Sequence, residues 1–115
     1  MGKKSYLTGQ KVAYEMNDSW MEDALEAEKK YGIPVGVYVL LHCQTAGVKG
    51  IPGKNGKSID NSASLRKMQI VYNTPGLTEK QRNALFEYLG VGEKIRHWNK
   101  ARVNDELAKM RKKAG

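Results

Sequence analysis

This chain of 115 residues has a single cysteine, Cys43, only three prolines and only nine aromatic residues. One cysteine excludes an internal disulfide framework and a multi-cysteine zinc site. Long apolar runs are missing as well. The longest, VYVLL at residues 37–41, falls far short of the roughly 18 residues that cross a bilayer. The N-terminus, MGKKSYLTG, lacks the apolar stretch of a secretory signal, and Tyr6 stands where a myristoylation signal carries Ser or Thr. A cytoplasmic protein without a membrane partner is therefore expected. Acidic residues are absent from positions 32–58, which hold Lys49, Lys54 and Lys57.

What is present is ordinary for a folding chain: 40% apolar and 28% charged residues. A chain of this length has room for one domain, residues 1–115, burying roughly two-thirds of its unfolded surface. The net charge of +8 is unevenly spread. Residues 1–31 carry −1, residues 32–58 carry +3, residues 59–89 carry +1 and residues 90–115 carry +5. Such a surplus is either a solvated surface or a footprint for an acidic partner.

Helical signals dominate. Ser19-Trp20-Met21-Glu22 fits a capping box, and Trp20, Ala24, Ala27 and Tyr31 recur on one face, with Met21 and Leu25 beside them. Gly32 is the expected terminator and Pro34 the stop. Upstream, residues 10–16 are read as a further helical turn or two. Residues 34–45 are rich in Val and Tyr, which suit a strand, but nothing else in the chain offers a partner strand, so a buried helix is expected. Further helices follow over residues 62–72, after the capping box Thr78-Glu79-Lys80-Gln81, and over residues 100–113, with one short turn between Glu93 and Trp98. The expectation is an all-α bundle of about five short helices with a glycine- and lysine-rich loop. Its expected core is Trp20, Leu25, Tyr38, Leu41, Leu65, Met68, Leu85, Phe86, Leu89 and Leu107. The last helix ends in a basic cluster that suits the negative end of its dipole.

The loop GVKGIPGKNGKSIDN, residues 47–61, ends in Gly-Lys-Ser but is not a nucleotide-hydrolysing loop. Counting back from Gly56 puts Ile51 where the first glycine of G-x-x-x-x-G-K-[ST] belongs. A calcium loop fails on the same ruler, because Ile51, Gly53 and Asn55 fall on ligand positions and Ser62 falls where a bidentate Glu is needed. Two readings stay open: backbone amides and lysines that cradle an anion, or a solvated connector. Catalytic pairs are thin. His42 and Cys43 are adjacent and diverge on a helix, and with His97 they make three soft ligands, too few for a structural zinc site without a carboxylate. No enzyme, cofactor or metal is expected.

The richer signal is EKIRHWNKAR, residues 93–102, in which Lys94, Arg96, Lys100 and Arg102 alternate with His97 and Trp98. Cations beside a stackable ring are what single-strand binders use, although Trp98 reads equally as a core anchor. The candidate binding residues are Lys49, Lys54, Lys57, Arg96, Trp98, Lys100, Arg102, Arg111 and Lys112.

Taken together, YGIPVGVYVLL, GKNGKSIDNSASLRKMQIVYN and GLTEKQRNALFEYLGVG resemble a helical module of large virion-associated proteins in tailed bacteriophages and prophages, over about residues 31–92. The resemblance implies helix at residues 34–45, a phage or prophage origin and a non-enzymatic role. The free-standing start and basic tail depart from that module. The expectation is thus a phage-encoded protein that docks on nucleic acid or a nucleoprotein. The alternatives are an inhibitor of a host defence nuclease, of the anti-CRISPR kind, acting by protein contact, or a structural virion component.

Overall fold

The computed structural model describes residues 19–114. The helical turn expected at residues 10–16 lies outside them. Among the described residues there are five α-helices and no strands: α1 (Trp20–Tyr31), α2 (Val35–Ala46), α3 (Ser62–Tyr72), α4 (Glu79–Tyr88) and α5 (Lys100–Ala114), with a 3₁₀ turn at Glu93–Ile95. The all-α expectation holds. The chain divides into two units after Gly47.

In the first unit α1 packs on α2. Small residues, Ala24 and Ala27, form the inward stripe of α1 and are fully buried. The expected capping box at its start is absent: Ser19 lies in the helical region of backbone space and its side chain makes no capping hydrogen bond. A side-chain cap needs an extended backbone at that residue, so the Ser-x-x-Glu spacing alone does not deliver one. Gly32 ends α1 with φ of 71°, a left-handed conformation that glycine adopts without a Cβ penalty. The segment that could have been a strand is α2, following Pro34, and it buries Tyr38, Leu41, His42 and Thr45. Two expected core residues are placed differently. Leu25 is 53% exposed and Trp20 only half-buried, because the alanines take the inward face of α1. Leu40, on α2, is 54% exposed.

In the second unit α3 packs on both α4 and α5. Leu65, Met68 and Val71 of α3, Leu85 and Phe86 of α4, and Val103 and Leu107 of α5 are fully buried. The Thr78 capping box is present in both halves. Gln81 N–H donates to Thr78 Oγ1 at 3.1 Å, and Thr78 N–H donates to Gln81 Oε1 at 2.9 Å. Beyond α4 the chain turns at Gly90, with φ of 82°, while Val91 N–H donates to Phe86 O and Gly90 N–H to Glu87 O. This is a Schellman turn, and it drives Val91 into the core.

Residues 47–61 precede α3 and are tied to its first turn. Ser62 is fully buried; its hydroxyl accepts from Ile51 N–H at 2.8 Å and donates to Ile59 O at 2.6 Å. Pro52 and Ser58 form an isolated antiparallel bridge. Gly50 passes so close that a Cβ there would sit 2.7 Å from both Ser58 Cβ and Ser62 Oγ. No helix among the described residues is long and apolar enough to cross a membrane.

Candidate nucleic-acid interface

The second unit carries a cleft of about 530 Å³ whose walls come from three places in the chain. Tyr72, the last residue of α3, lines it. Glu79, Arg82 and Asn83 come from the first two turns of α4, and Arg96, His97, Asn99 and Lys100 from the segment that leads into α5.

Each cation is positioned by a traceable local cause. The Schellman turn at Gly90 buries Val91, whose carbonyl accepts from Arg96 Nε at 2.9 Å. Ile95, buried in the 3₁₀ turn, holds that segment to the core, and Trp98 N–H closes the next turn on Ile95 O at 3.0 Å. The Tyr72 hydroxyl donates to Trp98 O at 2.5 Å, tying α3 to the start of α5. Burial pushes the Tyr72 phenol above its ordinary range, with Arg82 opposing and Glu79 reinforcing the shift, so the phenol keeps the proton that this bond requires. Arg82 donates to Leu77 O at 2.9 Å and lays its guanidinium over the Tyr72 ring, 5.4 Å from the centroid. Asn99 caps α5 by accepting from Arg102 N–H at 2.8 Å, which sets Lys100 at the cleft edge. Among the described residues no carboxylate forms a salt bridge with Arg82, Arg96, Lys100 or Arg102; the ion pairs there are Lys30 with Glu26, and Lys109 with Asp105 and Glu106.

The nine candidates from the sequence thus separate into groups. Arg96 and Lys100 meet in the cleft. Trp98 and Arg102 meet each other: the Arg102 guanidinium lies 4.0 Å from the centre of the Trp98 ring. That face of the indole already holds a cation, at a distance where the attraction is worth about 0.5–1 kcal/mol at an exposed site. Arg111 is exposed on the last turn of α5, and Lys112 borders a shallow recess with Ile59 and Met110.

Lys49, Lys54 and Lys57 are exposed and line no part of the cleft. Four amides beside them are taken up within the loop: Gly53 N–H donates to Lys57 O at 2.7 Å, Gly56 N–H to Gly53 O at 3.1 Å, Lys57 N–H to Asn55 Oδ1 at 3.0 Å and Ile59 N–H to Ile51 O at 2.8 Å.

The site residues missed from sequence are Tyr72, Glu79, Arg82, Asn83 and Asn99. Arg82 had a local signal: it sits on the polar side of α4, one turn after the Thr78 cap. Tyr72 had none, since its apolar neighbours on α3 mark it as core.

The remaining titratable candidates lie apart from this chemistry. His42 is buried between the rings of Trp20, at 5.7 Å, and Tyr38, at 6.0 Å, both stacked on it. Its Nε2 is buried with no hydrogen-bond partner among the described residues. Burial lowers its pKa from the ordinary histidine value, against an opposing pull from Asp23, while burial pushes Tyr38 up to about 12. Among the described residues no group of three or more His, Cys, Asp or Glu is placed to hold a metal ion.

Comparison with protein-family models, with curated proteins and with solved structures gives no match for this chain.

Proposed function

We propose that this chain is a phage-encoded, non-enzymatic protein that docks on nucleic acid, free or within a nucleoprotein, through the basic surface of residues 48–114, in the host cytoplasm. The observation that carries the reading is the cleft in which Arg82, Arg96 and Lys100 converge with no salt-bridging carboxylate among the described residues. Cations that form no salt bridge of their own remain available to phosphate. The wider charge pattern supports it. Residues 48–115 hold fifteen Lys and Arg against six Asp and Glu, a net +9, while residues 1–47 carry −1. The phage origin rests on the resemblance over residues 31–92.

The test is fluorescence anisotropy of labelled single- and double-stranded DNA and RNA at two salt concentrations. If three phosphates are neutralised, a fourfold rise in salt weakens binding by about 20- to 40-fold through counterion release. Affinity that stays flat across that range, or is absent at low salt, overturns the reading.

A further inference from the structure

We propose that the cleft between Tyr72, Arg82, Arg96 and Lys100 is a site for a phosphate monoester, the group carried by a mononucleotide or by a phosphorylated strand end, rather than for an internal phosphodiester. The proposal deepens the nucleic-acid reading and rests on it for the strand-end source.

Charge is the first argument. Three cations, Arg82, Arg96 and Lys100, face one carboxylate, Glu79, so the Arg, Lys and Glu side chains of the walls sum to +2. A phosphate monoester carries about −1.5 to −2 at neutral pH and three acceptor oxygens. An internal phosphodiester carries a single charge and leaves half of that field unanswered.

Donor geometry is the second. Arg96 is anchored through Nε on Val91 O, which leaves both terminal nitrogens of its fork without a partner among the described residues. Arg82 is anchored through one terminal nitrogen on Leu77 O and lies over the Tyr72 ring, 5.4 Å from its centroid. Guanidinium groups fixed in this way lose little freedom on meeting an oxyanion, and their forks match phosphate in pairs of parallel hydrogen bonds. Lys100 is exposed, makes no hydrogen bond or ion pair among the described residues, and supplies a mobile third charge.

Size and polar lining are the third. About 530 Å³ is a small-molecule volume, well above what one phosphate fills. The rest of the wall is Asn83, His97, Asn99 and the Glu79 carboxylate, which accepts hydrogen bonds. A carboxylate inside a cationic cleft weakens the binding of a bare anion, yet suits a ligand that also presents hydroxyl or amino donors, as a nucleotide does.

The experiment compares the full chain binding one single-stranded oligonucleotide with a 5′-phosphate and with a 5′-hydroxyl, alongside a nucleoside monophosphate and its nucleoside, by anisotropy and calorimetry. The phosphorylated strand is expected to bind about tenfold tighter, the increment of one added charged hydrogen bond, and the monophosphate to compete while the nucleoside does not. Lys100→Gln should narrow the phosphate preference, and Glu79→Gln should widen it. Both side chains are exposed, and circular dichroism checks that the variants fold. Equal, salt-sensitive affinity for the two strands removes the cleft proposal and leaves nucleic-acid docking standing. Monophosphate binding with no strand binding keeps the cleft and removes the docking reading, and no preference for phosphate in either arm overturns the proposal.

Discussion

Aromatic rings meet basic side chains in both units, with opposite results. In the first unit Trp20 and Tyr38 stack on His42, and the imidazole is buried with its Nε2 unbonded among the described residues. In the second, Tyr72 and Trp98 each carry an arginine guanidinium on one face. The difference lies in how each ion is solvated. Imidazole can discard its proton to escape a dry site, whereas guanidinium cannot, so arginine meets an aromatic ring where water or an anion still reaches it. One arrangement is a packing device that excludes charge; the other displays it.

Four measurements would break or sharpen that contrast. The largest effect belongs to the core beneath the cationic face. Phe86→Ala removes a fully buried ring that packs edge-on against Tyr72 and should cost about 3–5 kcal/mol, read as a lower denaturation midpoint. A loss below about 1 kcal/mol would mean that Tyr72, and with it that wall of the cleft, is held by something other than this packing. Next comes Gly50→Ala, which forces a methyl against Ser58 and Ser62 and should cost about 1–3 kcal/mol by thermal melting. A neutral result there would show that residues 47–61 yield easily and are not pinned to α3.

The third measurement concerns His42, and its sign follows from the direction of the shift. A lowered folded pKa means that the unfolded chain binds the proton more readily, so stability rises with pH. The contribution is complete above about pH 6.5, the unfolded value, and is lost as pH falls through the lowered folded value. His42→Phe keeps a ring between Trp20 and Tyr38 and should flatten that dependence; an unchanged slope would place the acid sensitivity elsewhere. The smallest effect is expected from Leu25→Gln, because Leu25 is 53% exposed on α1; the change should stay within about 0.5 kcal/mol. A larger loss would show that this side chain is covered in solution.

How much of this was legible in the sequence depended on how local the physics was. The Thr78 capping box spans four residues and the turn at Gly32 about six, so the residues that decide them are neighbours in the chain. Both were readable. The Ser19 box has the same spacing yet is not formed, since spacing does not dictate the backbone angle at the cap. Periodicity placed Ala24 and Ala27 on the inward face of α1, where they are buried; the miss was to count Leu25, which flanks that face, with the core.

The sequence alone determined an all-helical chain, its breaks, and the placing of nearly all its excess positive charge after residue 47, because those follow from short-range preference and simple composition. Which cations act together was decided only by tertiary structure. Arg82 and Arg96 stand on opposite sides of the Gly90 turn, and Tyr72 lies in a helix that reads as core. They share one cleft because Val91 and Ile95 are driven inward and the half-buried Tyr72 phenol ties α3 to the carbonyl that precedes α5. Burial and hydrogen bonding over such separations leave no period in the chain to read.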